Sequence, residues 1–250
     1  MPRYPMIKLG IIQTRQYGSN ESAMTGVSRI LHRLAKKEVD IVCLPEQWLA
    51  NNIISDFEAQ FSAFSRISKE YAMAIIPGAF YEKSSHGYIC APVIDSGSII
   101  GMQEKIHPFD YERRKIRPGT KARVFKTQKA RIGIIICYDM VFPKVAEIMA
   151  KKGAEVLFSP SRIVRRGIGP WHTYVHARSL ENRIPVLAAN MHNAKFGGKS
   201  IIVDLEEDDG VMIPKSKTLP DGQSSIVASF CLSKYKKSRL LRYRDKQRFS

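Results

Sequence analysis

RIGIIICYDMVFPK, residues 131–144, contains the turn on which the fold reading depends. From Ile132 to Ile136 no side chain is polar. A strand with one wet face would alternate, so a strand apolar at successive positions is buried on both faces. The run stops on Cys137, and Val141, Val145, Ile148 and Met149 then follow at helical spacing over 141–152. A buried strand that turns straight into a helix puts its connecting residue at the C-terminal strand edge, where α/β proteins place their sites. The backbone N–H groups at the start of that helix have no intrahelical acceptor and face the same space. Cys137 is therefore a candidate nucleophile with donors beside it, although a buried cysteine is also an ordinary inert packing residue.

Working outward, the same alternation recurs. Strands are expected at 6–13 and 40–46, with helices at 21–37 and 56–71. The second helix is marked by Phe57, Phe61, Phe64 and Ile67. Residues 73–83, 87–95 and 98–105 read as consecutive antiparallel strands joined by tight SSHG and SGS turns. A polar loop over 106–122 precedes the 131–136 strand. After it come strand 155–159, helix 171–183, strand 185–190, and the last strands GGKSIIVD and SSIVASF. The tail from about 232 reads as a basic helix. This order mixes βα units with a hairpin run, so the fold class is α/β, a layered sandwich with sheets inside and helices outside. No low-complexity linker divides the chain, and one domain over 1–250 is expected.

The totals narrow the function. With 250 residues, 44% hydrophobic and 25% charged, the composition is that of a globular protein. No apolar run is long enough to span a bilayer, and the start lacks the core of a signal peptide. The four cysteines, Cys43, Cys90, Cys137 and Cys231, are widely spaced, with no C-x-x-C pair and no zinc pattern. A reduced, cytoplasmic protein with free thiols is expected. The net charge of +17 raises nucleic acid as a partner. Much of that excess is local, because residues 232–250 hold eight Lys or Arg against one Asp. A nucleic-acid-binding protein therefore stands as an alternative, and nucleic acid is not the expected partner.

Two more strands end on chemistry. DIVCLPEQW delivers Glu46 to a strand end, with Pro45 stopping the ladder. GMQEKIHP does the same with Lys105. Singly, each reads as a solvated surface residue. Together, in the order Glu46, Lys105, Cys137 and with the flanks LPE, EKIHPFDYERRKIRPG and GIIICYDMVFP, they resemble the nitrilase, or carbon–nitrogen hydrolase, superfamily. WHTYVHARSLENRIPVLAAN, FGGKSIIVD and LLRYRDKQRF extend the resemblance into the tail.

The resemblance implies a four-layer αββα sandwich and a Glu46–Lys105–Cys137 triad, with Glu112 as a second glutamate. It also implies helices 141–152 and 171–183 facing a second subunit, hence a homodimer or higher even-numbered assembly. Relatives often carry Phe-Pro-Glu after Cys-Tyr-Asp, whereas this chain has Phe142, Pro143 and Lys144. The implied chemistry is hydrolysis of a non-peptide C–N bond in a small amide, carbamoyl or nitrile substrate, of amidase, ω-amidase or N-carbamoyl hydrolase type. Cys137 would form a thioester, Glu46 would serve as base, and Lys105 with the Tyr138 N–H would hold the oxyanion. Removing Lys105 is expected to lower turnover with little cost to folding. A scaffold without catalysis is the remaining alternative.

No cofactor or metal is expected. His172 and His176 stand four apart on a helix, a spacing that can bind metal, but no acidic third ligand accompanies them. Arg162, just past strand 155–159, is a candidate clamp for a substrate carboxylate. The competing reading of SPSRIVRRGIGPW is a solvated basic loop.

Overall fold

The structure is a computed structural model that describes residues 6–84 and 87–245. The SSHG turn and the last five tail residues fall partly or wholly outside the described residues. In chain order the elements are β1 (Ile7–Gln13), α1 (Asn20–Ala35), β2 (Ile41–Cys43), β3 (Ile53–Ile54), α2 (Phe57–Gln60), α3 (Ser62–Tyr71), β4 (Ala74–Ile76), β5 (Phe80–Glu82), β6 (Ile89–Asp95) and β7 (Ser98–Glu104). There follow β8 (Val124–Lys126), β9 (Arg131–Ile134), α4 (Pro143–Lys151), β10 (Val156–Ser161), α5 (Ile168–Asn182), β11 (Val186–Asn190), β12 (Ile201–Asp208), β13 (Val211–Thr218), β14 (Ser224–Phe230) and α6 (Lys236–Arg244). Short 3-10 turns cover Asp110–Arg114 and Cys137–Val141.

The strands form two sheets. One runs β14-β1-β2-β4-β6-β5-β3, with β7 added against β6, and the other runs β13-β12-β11-β10-β9-β8. Period-2 alternation sorts the apolar side chains into layers. Ile132, Ile134 and Ile136 point between the sheets, where they join Leu9, Ile11, Cys43, Ile76, Val93 and Phe158. Ile135 and Leu157 point outward and pack with Val145, Met149, Trp171 and Val175 of α4 and α5. Val42, Leu44 and Ile75 do the same on the other side, under Val27 and Leu31 of α1, Phe64 of α3, and Phe61 between α2 and α3. The result is the four-layer αββα sandwich. Every central strand is covered on both faces, which explains the continuous apolar runs.

Local chemistry sets the boundaries. Ser19 caps α1 by accepting from the Ser22 N–H at 3.1 Å, and the Ser22 hydroxyl donates back to the Ser19 carbonyl. Pro143 opens α4 at its first turn, where a missing N–H costs nothing. The expected 141–152 helix therefore begins two residues late, after the 3-10 turn. The expected 56–71 helix is broken at Phe61, whose backbone leaves the helical region. The expected 73–83 strand is two strands, because Pro77 and Gly78 interrupt the ladder. Gly78 has φ +114°, and a Cβ there would collide with the Pro45 carbonyl oxygen.

Candidate active site

Three strand ends meet at one edge of the sandwich. β9, β10 and β11 run parallel, as do β1, β2 and β4, so their C-terminal ends gather. The Glu46 N–H donates to the Ser161 carbonyl at 3.3 Å, which joins the two sheets at that edge. Glu46 is fixed from behind. The Gln47 N–H donates to the Ala79 carbonyl at 2.9 Å, and Trp48 Nε1 donates to the Pro77 carbonyl at 2.6 Å. Gly78 lets these two loops touch.

Lys105 leaves the end of β7 and is 1% exposed, with Glu46 and Glu112 at 2% each. Its Nζ lies 2.9 Å from Glu46 Oε1 and 2.8 Å from Glu112 Oε2. Burial would push this ammonium down, but Glu46, Cys137 and Glu112 outweigh it and hold it well above the usual lysine range. Glu112 sits in the 3-10 turn of the 106–122 loop and accepts the Phe109 N–H at 2.8 Å. Burial and then the charge of Glu46 raise its pKa, against the pull of Lys105 and the Phe109 amide.

Cys137 is half-buried and has φ +46°, a left-handed conformation that costs a non-glycine residue energy. The conformation turns its side chain out of the strand. The Glu46 carboxylate and the Arg162 backbone N–H both act on its thiol. Burial first, and the charge of Glu46 second, hold the thiol well above its ordinary range, against Lys105. The group is therefore a neutral thiol that feels the charge of a nearby carboxylate. The Tyr138 N–H, next along, lies in the first turn of a 3-10 helix and so has no intrahelical acceptor.

Arg162 stands just beyond β10, its Nη2 donating to Tyr111 Oη at 3.0 Å and its guanidinium 5.0 Å from the centre of the Phe196 ring. Burial would lower its pKa, but Glu46 and then Tyr111 hold it above the ordinary value. The two helix histidines serve elsewhere. His172 Nε2 pairs with the Lys199 carbonyl at 2.8 Å and His176 Nδ1 with the His172 carbonyl at 2.7 Å. Lys144 is exposed on the first turn of α4. Among the described residues no group of three His, Cys, Asp or Glu could hold a metal ion. No helix among them is long and apolar enough to cross a membrane.

Sequence reasoning missed Asp139, which is 1% exposed. One carboxylate ties the Cys137 turn to the segment after Lys105. It accepts the His107 N–H at 2.7 Å and the Ile106 N–H at 3.2 Å, and pairs with His107 Nδ1 at 2.8 Å. The His107 ring stacks on Phe142 with centroids 3.6 Å apart. An acid two residues after a strand-end cysteine was the available signal, since Asp readily accepts backbone N–H groups in turns.

Comparison with known proteins bears on the family and the fold. The carbon–nitrogen hydrolase family profile matches residues 8–246. A citrullinase of Francisella tularensis is 32% identical over 152 residues, which is 52% of this chain. The match covers 53% of that protein, so the chain spans about half of that relative's length. An omega-amidase of Saccharomyces cerevisiae is 26% identical over 235 residues, covering 79% of this chain and 80% of that protein. The crystal structure of a carbon–nitrogen hydrolase from Helicobacter pylori shares the fold, with TM-score 0.84 at 24% identity over 97% of this chain and 96% of that one. Strand-end chemistry, layer order and family profile converge, and the chain is a carbon–nitrogen hydrolase of the nitrilase superfamily.

Proposed function

We propose that the protein hydrolyses the non-peptide C–N bond of small amides or ureides through a thioester on Cys137. The observation that carries the reading is the buried Glu46–Lys105 ion pair at 2.9 Å, with the Cys137 thiol within range of both charges. A neutral thiol is a weak nucleophile and needs a base at the moment of attack. Glu46 takes the thiol proton as sulfur bonds to the carbonyl carbon. The oxyanion is held by the Lys105 ammonium and the Tyr138 N–H. The C–N bond then breaks, and Glu46 returns the proton to the departing ammonia or amine. In the second half Glu46 takes a proton from water, hydroxide attacks the thioester, and the thiol leaves reprotonated. Glu112 shares Lys105, so the ammonium does not neutralise Glu46 alone.

Arg162 suggests a substrate that carries a carboxylate, as ω-amides and carbamoyl amino acids do. The similarity to an omega-amidase and a citrullinase supports the same class. The wider reading is one hydrolase domain in a reducing compartment, assembled as an even-numbered oligomer through α4 and α5. All four cysteines being free accords with that compartment.

The test is ammonia release across amides, ω-amides, carbamoyl amino acids and nitriles. Cys137→Ala should abolish turnover, and Glu46→Gln should lose about 10²–10⁴ in rate or more, since it serves both half-reactions. A stalled reaction should carry its acyl mass on Cys137. Arg162→Ala should cost an acid substrate about 2 kcal/mol more than its methyl ester. An adduct on another cysteine, or near-native kcat in Glu46→Gln, would overturn the reading.

A further inference from the structure

A cleft of about 310 Å³ is lined by Gln47, Arg162, Asn193, Lys195 and Phe196 among others. Its chemistry is one-sided. Two cations line it and no Asp or Glu does. Both cations use the same ring, with Arg162 at 5.0 Å and Lys195 Nζ at 5.6 Å from the centre of Phe196. Three amide oxygens of its wall are spent within the loops. Asn193 Oδ1 accepts the Lys195 and Phe196 N–H groups, Asn52 Oδ1 accepts the Leu49 N–H, and Gln16 Oε1 accepts Asn193 Nδ2.

Donors are left over. Gln47 Nε2 is buried without a partner, a state that costs about 1–3 kcal/mol unless something accepts from it. The walls are also fixed, because the Arg165 guanidinium donates to the Ala194 and Asn193 carbonyls and pins the 191–197 loop to the loop after β10. Glu46 is the acid that acts on Arg162 from outside the cleft, and the exposed Lys195 and the spare Gln47 amide leave the cleft room for a second negative group. The cleft neighbours the proposed reacting groups, since Gln47 in its wall follows Glu46 in the chain and the Arg162 backbone N–H acts on the Cys137 thiol.

Building on the proposed hydrolase reading, we infer that this cleft is the acid subsite of a dianionic substrate, an amide or ureide bearing two carboxylates. Arg162 takes one, Lys195 takes the other, and Gln47 Nε2 donates to whichever lies nearer Glu46. Lys195 is thus a specificity residue, and a substrate with one carboxylate leaves it unused.

The experiment uses two ureides that differ by one carboxylate, N-carbamoyl-β-alanine and N-carbamoyl-L-aspartate. Their binding to full-length Cys137→Ala protein is measured by calorimetry, with Lys195→Met and, as a control for overall charge, Lys115→Met added to that background. The aspartate derivative should bind at least tenfold more tightly. Lys195→Met should erase that advantage and leave the β-alanine derivative unchanged, while Lys115→Met should alter neither. Equal affinities, no binding of either ligand, or the same loss from both lysine variants would overturn the inference. Ammonia release from neutral amides would leave the hydrolase reading standing after any of those results. Absence of turnover with every amide, ureide and nitrile would sink the hydrolase reading even if the aspartate derivative bound.

Discussion

Lys105→Met keeps the length of the side chain and deletes its charge. In the native site one buried ammonium sits between two buried carboxylates at 2.9 and 2.8 Å. Without it, two carboxylates share a dry site, and they cannot both stay ionised cheaply. Removing one partner of a buried ion pair typically costs about 3–5 kcal/mol. For a chain of this size that is a fall in Tm of roughly 6–20 °C, at about 2–4 °C per kcal/mol. The loss should depend on pH, and the sign is fixed. Glu112 is already raised by burial and by Glu46, and losing Lys105 raises it further. A carboxyl whose folded pKa exceeds its unfolded value stabilises fully below the unfolded pKa and loses that contribution as pH rises through the folded pKa. The variant should therefore lie closest to wild type near pH 4.5 and fall furthest behind near pH 8. Urea unfolding of both proteins at the two pH values measures this, with Lys105→Met/Glu112→Gln expected to recover part of the loss at pH 8. A cost below about 1 kcal/mol that does not change with pH would refute a buried charge triad at this position.

Two further outcomes follow from the same geometry. Because burial and Glu46 raise the Cys137 thiol, its alkylation by iodoacetamide should accelerate with pH beyond pH 9, and a plateau below pH 8 would show an activated thiolate instead. Asp139→Asn leaves one oxygen to serve the Ile106 and His107 groups, so kcat should fall about 10²-fold through misplacement of Cys137 against Lys105, with KM little changed; an unaltered kcat, or a loss confined to KM, would remove its positioning role.

The long apolar strands were legible because burial on both faces leaves a pattern that survives without context. β3, with two residues, and β8, with three, are too short to show any period. β13 was missed because it is an edge strand with mostly exposed side chains, where Pro214 is tolerated and Lys215 and Lys217 blunt the edge. Glu46, Lys105 and Cys137 could be proposed from sequence because each lies at or just past the end of a readable strand. The two ion pairs of Lys105 could not, since a lysine before a turn looks solvated until its two acids are seen around it. Asp139 pairs with a residue 32 positions away, and Arg162 rests on Phe196 and Tyr111 from separate loops. No local pattern encodes such partners.

Glu46 and Lys105 hang from one sheet, and Cys137 from the other. If these three react as proposed, the distance between them is a reading of how thick the filling between the sheets is, much as a caliper reads what lies between its jaws. Catalytic groups tolerate displacement of only about 0.5 Å, and close-packed interiors transmit strain instead of absorbing it. A methyl group trimmed from Ile134 or Phe158 exchanged for leucine, each deep in that filling and out of reach of any substrate, would let the jaws close or slip. Natural selection for turnover would then act on the volume of an oily layer as strictly as on the thiol itself, and hydrostatic pressure would tune the reaction without altering a single residue.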